Sequence, residues 1–269
     1  MVRRGIAASR AEAGLAIRGG KVTVAGRPAA KAGTMVLAEE AIAVSQPARK
    51  FVSRGGEKIE AALDRFGIDV SDRDALDAGA STGGFTDCLL RRGVARVLAV
   101  DVGYGQLDWR LREDPRVTVL ERTNARNLDP AALPFRASLV TADLSFISLA
   151  LVVPALAAAA APEAEFILLV KPQFEAGRAD VGSGGVVSDP DVWRRVLRRV
   201  ADACVAAGLQ PVDVMASPLL GPAGNAEFLL QARRTEPDTG PDQGPQAEGF
   251  DAAIEVAMNE ATALAGGRT

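Results

Sequence analysis

Charged side chains follow two neighbouring apolar segments in the second half of the chain. Asp143 comes after the segment 138–142, and Lys171 comes after the apolar residues 167–170. If both segments are parallel strands, their carboxyl ends meet at the edge where open α/β sheets bind ligands. Burying a lysine is costly unless a carboxylate pairs with it, so Asp143 is the expected partner of Lys171. The pattern fits a proton-handling site, and a purely structural ion pair is the alternative.

The sequence has no histidine and two cysteines. The absence of histidine excludes Ser-His and Cys-His nucleophile systems and most zinc sites. Cys88 and Cys204 lie in separate predicted helices, which favours core residues in a reducing cytoplasm over a disulfide or a metal site. We expect no metal, and acid–base chemistry falls to Lys, Asp, Glu or Tyr. No apolar run reaches the length of a membrane span, so no membrane partner is expected.

A glycine-rich turn is the central motif of the chain, in the stretch 74–87. Its first residues predict a buried strand, and a helix is predicted to begin near Phe85. Gly79, Gly83 and Gly84 would allow the backbone to approach a ligand closely. A tight strand-to-helix connection without a ligand is the alternative.

The acid before this turn, Asp77, argues against a dinucleotide. The turn reads Gly-Ala-Ser-Thr-Gly-Gly rather than Gly-x-Gly-x-x-Gly, and a carboxylate there would repel a pyrophosphate but attract a cation. S-adenosylmethionine carries a sulfonium and an amino group and no phosphate, so it is the expected cofactor. Asp101, at the end of the next predicted strand, would bind ribose hydroxyls, and Asn124 lies where the adenine edge would bind. A cap or turn role is the alternative for both.

Strands and helices alternate from residue 57 onward. Strands are predicted at 74–79, 96–101, 116–120, 138–143, 165–171, 210–217 and 226–232. Helices are predicted at 57–66, 85–92, 105–113, 149–161, 190–207 and 250–264. The short Pro/Gly connection 218–224 predicts a hairpin and hence an antiparallel last strand. The fold class is therefore α/β, a Rossmann-like methyltransferase arrangement with a seven-stranded sheet.

Charge is distributed unevenly along the chain. Residues 1–58 carry a net charge of +7 and the remainder a net charge of −10. A basic N-terminal segment followed by an acidic remainder suggests that the N-terminal segment binds a polyanionic partner. A basic solvated surface is the alternative. Residues 1–46 predict a small α+β unit: a helix capped by Ser9 that ends near Arg18, a strand at 21–24 and a second strand region at 35–44.

The unit predicted over residues 1–46 resembles the S4 RNA-binding fold. The resemblance lies in Val2-Arg-Arg-Gly-Ile-Ala, Ser9-Arg10 and Gly20-Lys-Val-Thr-Val-Ala-Gly26. It implies a domain over 1–46, a linker over 47–56 and a catalytic domain over 57–269. The residues that it matches to RNA-contacting positions are Arg3, Arg4, Arg10, Arg18 and Lys21.

A second resemblance covers nearly the whole chain. The segments 53–58, 77–86, 101–107, 142–148, 171–175 and 224–228 are similar to the TlyA family, whose members are ribosomal RNA 2′-O-methyltransferases with an S4 domain and an FtsJ-like domain. The resemblance implies methylation of cytidine ribose in 16S or 23S rRNA within ribosomal subunits, with effects on susceptibility to capreomycin-type antibiotics. It implies a catalytic tetrad of Lys58, Asp143, Lys171 and Glu227. The expected cofactor-binding residues are Asp77, Gly79, Ser81, Thr82, Gly83, Gly84, Phe85, Thr86, Asp101, Asn124 and Asp143.

In this hypothesis Lys171, held by Asp143 and Glu227, orients the 2′-hydroxyl and accepts or shuttles its proton, and Lys58 steadies the tetrad. Two other functions remain open at this point. Some family members are named haemolysins, so a membrane-active protein is one alternative. A non-catalytic RNA-binding assembly factor is the other.

Overall fold

The computed structural model describes residues 1–7, 10–29, 31–44, 50–234 and 247–266. The chain forms two compact units, Met1–Arg49 and Lys50–Thr269.

The first unit is a short helix beside a small antiparallel sheet. Helix α1 covers Arg10–Arg18, and the strands β1 (Val22–Val24), β2 (Arg27–Pro28) and β3 (Ile42–Val44) pair in the order β2-β1-β3. The predicted cap Ser9 lies outside the described residues. The strand region predicted at 35–44 is correct only at its end, because Met35 and Leu37 are exposed and have no strand partner.

The second unit is built on a seven-stranded mixed sheet with the order β6-β5-β4-β7-β8-β10-β9. Its strands are β4 (Asp74–Ala78), β5 (Arg96–Val100), β6 (Val117–Leu120), β7 (Ala137–Ala142), β8 (Ala160–Val170), β9 (Leu209–Ala216) and β10 (Phe228–Arg234). Strands β4 to β8 run parallel, and β10 lies antiparallel to both β8 and β9. The predicted seven-stranded α/β sheet with a reversed last strand is confirmed.

Helices cover both faces of this sheet, so its strands are apolar on both sides. Phe166 and Leu168 of β8 belong to one core, and Ile167 and Leu169 belong to the other. The helices are α2 (Gly55–Phe66), α3 (Gly84–Arg91), α4 (Trp109–Arg112), α5 (Val153–Ala159), α6 (Pro172–Glu175), α7 (Pro190–Ala206) and α8 (Ala247–Gly266).

Two predicted helices are shorter than expected. The segment 105–113 is helical only at α4, because Gly105 has a φ of 69° and Asp108 caps the helix by accepting a hydrogen bond from Arg110 N. The segment 149–161 forms a 3₁₀ turn and α5, and at Ala160 the chain enters β8. Pairing with β7 therefore overrides the helix propensity of the last alanines.

The linker predicted at 47–56 is mostly part of the second unit. Residues 47–49 lie outside the described residues, but from Lys50 onward the chain packs with the catalytic domain. Phe51 is buried, Val52 N donates a hydrogen bond to Asp87 Oδ2 at 2.9 Å, and Gly56 lies in the first turn of α2.

We expect two adjacent glycines of α2 to respond differently to substitution by alanine. A Cβ atom on Gly56 would lie 2.2 Å from the Phe51 ring, whereas one on Gly55 would meet nothing closer than 3.4 Å. Gly56→Ala must displace a buried ring and should lower the free energy of unfolding by about 1–3 kcal/mol. Gly55→Ala is the matched control and should change it by less than about 0.5 kcal/mol. Urea unfolding measures both values, and equal losses would contradict this packing.

Candidate active site

An open cleft of about 460 Å³ lies at the carboxyl ends of β4, β5 and β7. Five of the predicted cofactor-binding residues line it: Gly79, Ser81, Asp101, Asn124 and Asp143. Gln106, Thr123 and Ser145 also line it and were not predicted. Thr123 and Ser145 each lie three residues beyond the end of a strand, which is a positional signal that could have identified them.

Gly79 allows the turn after β4 to contact the loop after β7. Its φ is 83°, and a Cβ atom there would lie 2.4 Å from Asp143 O. Gly79 N donates to Val100 O at 2.8 Å, and Asp143 N donates to Ala78 O at 2.9 Å, so the three strand ends are joined by backbone hydrogen bonds. Glycine is therefore required at position 79 by the neighbouring backbone of Asp143, a contact that differs from the ligand approach predicted for it.

Asp101 shapes the cleft wall through its side chain. Its Oδ2 accepts a hydrogen bond from Ser81 N at 2.8 Å and its Oδ1 accepts one from Gly103 N at 2.7 Å. The first contact holds Ser81 at a φ of 49°, a conformation that is uncommon for residues other than glycine. Asn124 Oδ1 accepts from Arg126 N at 3.0 Å and so caps a 3₁₀ turn while the residue lines the cleft.

Asp77 lies beneath the cleft and not on its surface. It is 0% exposed, and its two oxygens accept hydrogen bonds from Thr86 Oγ1 at 2.7 Å and Thr141 Oγ1 at 3.1 Å. Burial raises the pKa of Asp77 to about 6, against the lowering effect of the two hydroxyl hydrogen bonds, and the charge of Asp143 raises it further. The expectation that Asp77 meets a cationic ligand directly is not supported, because its carboxylate is enclosed between β4, β7 and α3.

The remaining turn residues pack the domain and do not line the cleft. A Cβ atom on Gly83 would lie 2.2 Å from Leu111 Cδ1, and one on Gly84 would lie 2.2 Å from Ser53 Oγ. Phe85 is buried in the core, and Thr82 is exposed outside the cleft. Gly83 and Gly84 are therefore needed for close packing, which differs from the ligand approach predicted for them.

The four tetrad residues form two ion pairs. Lys171 Nζ lies 2.5 Å from Asp143 Oδ1, a contact without the angle of a hydrogen bond, and 3.1 Å from Ser145 Oγ. Lys58 Nζ, on the first turn of α2, is hydrogen-bonded to Glu227 Oε2. Glu227 was expected to hold Lys171, but its ion-pair partner is Lys58.

The second ion pair is deeply buried. Lys58 is 8% exposed and Glu227 is 2% exposed. The loop before β10 makes room for the carboxylate at Gly221, where a Cβ atom would lie 2.6 Å from Glu227 Oε1. This buried pair connects α2 to the start of β10.

An exposed aromatic ring lies beside the first ion pair. Phe146 is 90% exposed, lines the cleft and has a φ of 62°. Its ring centroid is 5.0 Å from that of Phe174, and Lys171 Nζ lies 5.9 Å from the Phe174 centroid. A left-handed φ is costly for a phenylalanine, and such strain is concentrated at functional sites.

In the first unit, all five predicted RNA-binding cations are exposed: Arg3, Arg4, Arg10, Arg18 and Lys21. The guanidinium of Arg4 also donates hydrogen bonds to three backbone carbonyls of the segment 37–40, at 2.6–3.1 Å. Arg4 therefore holds this turn in place, a structural role that sequence matching did not predict.

With the sheet order and the position of the cleft established, the second unit has the fold of the Rossmann-like methyltransferases. The chain belongs to the FtsJ-like methyltransferase family, whose model matches residues 51–234, and an S4 domain model matches residues 1–42.

Individual relatives agree with this assignment. The 16S/23S rRNA (cytidine-2′-O)-methyltransferase TlyA of Mycobacterium tuberculosis is 51% identical over 97% of this chain and 96% of its own length. Hemolysin A of Brachyspira hyodysenteriae is 40% identical over 67% of this chain and 75% of its own length. A solved structure from Streptococcus thermophilus is 35% identical, with a TM-score of 0.76, and covers 97% of this chain and 94% of that one. The resemblance to the TlyA family is confirmed.

Among the described residues, no helix is both long enough and apolar enough to cross a membrane.

We expect the raised pKa of Asp77 to make stability depend on pH. Its pKa is about 6 in the folded protein and 3.8 without burial, so the folded state binds the proton more tightly. Its stabilising contribution is complete below about pH 4 and is lost as pH rises through 6, a change on the order of 3 kcal/mol. Asp77→Asn mimics the neutral form and should remove this decline.

Urea unfolding at pH 4.5 and pH 7.5 measures the effect as the difference between Asp77→Asn and the unsubstituted protein. The control is Asp202→Asn, an exposed carboxylate on α7, which should leave the pH dependence unchanged. If Asp77→Asn shows the same decline as the unsubstituted protein, the buried carboxyl is not its source.

Proposed function

We propose that this protein transfers a methyl group from S-adenosylmethionine to a ribose 2′-hydroxyl of ribosomal RNA, with cytidine as the target nucleoside. The observation that carries the proposal is the Lys171–Asp143 ion pair at the edge of the cleft. The relative from M. tuberculosis, named for this reaction on 16S and 23S rRNA, supports the substrate. A ribosomal substrate would place the enzyme in the cytoplasm.

The charge of the cleft suits S-adenosylmethionine. The ionisable groups among its lining residues are the carboxylates of Asp101 and Asp143, and neither Lys nor Arg is among these residues. A phosphate-bearing ligand would be repelled, whereas a ligand with a sulfonium and an amino group would be attracted. We assign Gly79, Ser81, Asp101, Asn124 and Asp143 to cofactor binding, with Asp101 placed to accept hydrogen bonds from ribose hydroxyls.

Bound S-adenosylmethionine would supply a methyl group on a positively charged sulfur, which a hydroxyl oxygen can attack directly. The protein must then place the 2′-hydroxyl in line and stabilise the oxygen as its proton leaves. Lys171 is suited to this because its ammonium can contact Asp143 and still donate to the hydroxyl oxygen. In the ion pair with Asp143 the side chain of Lys171 is an ammonium, which has three donor hydrogens and no lone pair that could accept a proton. We therefore assign Lys171 to orientation and charge stabilisation, with the hydroxyl proton released to solvent water as the oxygen–methyl bond forms and the sulfur–methyl bond breaks.

The buried Lys58–Glu227 pair has a supporting role in this proposal. It fixes α2 against the loop before β10 and places a second ammonium at the carboxyl edge of the sheet. Docking of the RNA falls to the first unit, where Arg3, Arg10 and Lys21 are exposed and suit phosphate contacts.

We expect Lys171→Ala to lower methyl transfer by at least about 100-fold, because the 2′-hydroxyl loses its positioning group. Affinity for S-adenosylmethionine, measured by isothermal titration, should change less than about threefold, because Lys171 does not line the cleft. The assay is transfer of tritiated methyl to separated 30S and 50S subunits, followed by mapping of the alkali-resistant nucleotide.

The control for Lys171→Ala is Arg233→Ala. Arg233 is an ion-paired cation at the opposite edge of the sheet, where it contacts Glu165 at 3.0 Å. Its variant should retain methyl transfer. Undiminished turnover by Lys171→Ala would rule out the assignment of Lys171, and a product without alkali resistance would rule out ribose methylation.

We expect Phe146 to stack on the base of the target nucleotide. Its ring is exposed at the cleft, and base–aromatic stacking contributes about 1–3 kcal/mol, so Phe146→Ala should reduce kcat/KM for rRNA by about 5- to 150-fold. Phe146→Trp should retain most activity, and cofactor affinity should be unchanged in both variants. Val205→Ala, which removes an exposed apolar side chain on α7, is the control. Equal kinetics for Phe146→Ala and the control would exclude stacking.

A further inference from the structure

One carboxylate joins the two loops that carry the candidate catalytic pair. Glu175, the last residue of α6, accepts hydrogen bonds from Ser148 Oγ at 2.5 Å and from Leu149 N at 2.6 Å. Ser148 and Leu149 end the loop after β7, which begins at Asp143. Lys171 immediately precedes α6, so both members of the ion pair lie on segments that Glu175 connects.

Hydrogen bonds anchor the loop after β7 at both of its ends. At its start, Asp143 N donates to Ala78 O at 2.9 Å. At its far end, Ser148 and Leu149 donate to Glu175. Between these anchors lie Ser145, which contacts Lys171 Nζ, and Phe146 with its strained φ of 62°. A strained backbone conformation persists only when its surroundings stabilise it. The hydrogen bonds to Glu175 stabilise the far end of this loop.

Glu175 belongs to the interior and is not part of the cleft. It is 5% exposed and does not line the cleft. Burial raises the pKa of Glu175, while the hydrogen bonds from Ser148 and Leu149 and the positive charge of Arg199 act in the opposite direction. Arg199 Nη1 also donates to the backbone O of Glu175 at 2.8 Å, which fixes α6 against α7. A buried carboxylate that accepts two short hydrogen bonds is a rigid connection.

We propose that Glu175 is a positioning residue for methyl transfer, which sets the distance between Asp143 and Lys171 and holds Phe146 in its exposed conformation. This inference rests on the proposed function, because its kinetic consequence is measured on that reaction. Glu175 acts through the two loops and touches neither cofactor nor substrate. A misplacement of about 1 Å at a reacting centre can reduce the rate about 100-fold.

Three variants remove the connection stepwise. Ser148→Ala deletes one hydrogen bond, Glu175→Gln keeps a single acceptor oxygen, and Glu175→Ala deletes both contacts. We expect kcat for methyl transfer to fall modestly in the first two variants and by about 10- to 100-fold in Glu175→Ala. Affinity for S-adenosylmethionine should remain within about threefold, because the side chains of the cleft wall are unchanged. Glu165→Ala, a carboxylate paired with Arg73 and Arg233 at the opposite edge of the sheet, should retain kcat.

A double-mutant cycle separates positioning from a general loss of stability. If Glu175 acts by presenting Phe146, adding Glu175→Ala to Phe146→Ala should cost much less than its effect alone. Multiplicative losses would overturn the role of Glu175 in presenting Phe146. A loss of kcat that matches the unfolded fraction at the assay temperature would overturn the positioning role as a whole.

Hydrogen exchange tests the connection without any turnover. Peptides covering 143–149 should exchange faster in Glu175→Ala and Ser148→Ala than in the unsubstituted protein or Glu165→Ala. Unchanged exchange in this segment would overturn the proposal. Absence of methyl transfer by the unsubstituted protein would instead refute the proposed function, and the exchange result would still decide whether Glu175 holds the loop.

Discussion

The parallel pairing of β7 with β8 is the constraint on which the candidate active site depends. Ala142 pairs with Leu168, so Asp143 and Lys171 leave the sheet at neighbouring points of the same edge. The pairing of β4 with β7 brings Gly79 against Asp143 O, so that only a glycine fits there. A shift of one residue in either register would turn these side chains to the opposite face. The distance between lysine and carboxylate is therefore a property of the whole sheet.

Three acids lie near the glycine turn: Asp77, which is buried, and Asp101 and Asp143, which line the cleft. Asp77 is enclosed, and its carboxylate accepts hydrogen bonds from Thr86 of α3 and Thr141 of β7. Burial raises the pKa of this carboxylate. Asp101 and Asp143 line the cleft, where Asp101 also fixes the turn at Ser81. A cationic cofactor in the cleft would therefore meet the carboxylates of Asp101 and Asp143 directly, and would not meet that of Asp77. Asp77 affects a ligand through the turn that it stabilises and through its charge.

Periodicity and connection lengths were sufficient to predict the sheet and its reversed last strand. The tetrad of Lys58, Asp143, Lys171 and Glu227 was implied by the resemblance to the TlyA family. The sequence pattern predicted that Asp143 pairs with Lys171, but it did not predict that Glu227 pairs with Lys58. The Lys58–Glu227 contact depends on how α2 packs against the start of β10, at a sequence separation of 169 residues. Local patterns also missed contacts that the tertiary structure decides: the guanidinium of Arg4, an expected RNA contact, donates hydrogen bonds to carbonyls of 37–40. Gly84 has the sequence context of a ligand-approaching residue but packs against Ser53.

Stability alone does not account for the charges at the carboxyl edge of the sheet. Burying a lysine and a carboxylate costs about as much as their attraction returns, and apolar residues would often serve a core equally well. The formal charges of Asp101, Asp143 and Glu227 against those of Lys58 and Lys171 sum to −1, and Asp77 beneath the cleft adds negative charge above its pKa of about 6. A cofactor with a net positive charge offsets this negative charge. After methyl transfer the sulfur is neutral, so the spent cofactor would be attracted to this edge less strongly than S-adenosylmethionine. The negative charge of the edge would therefore favour exchange of the spent cofactor for a new one.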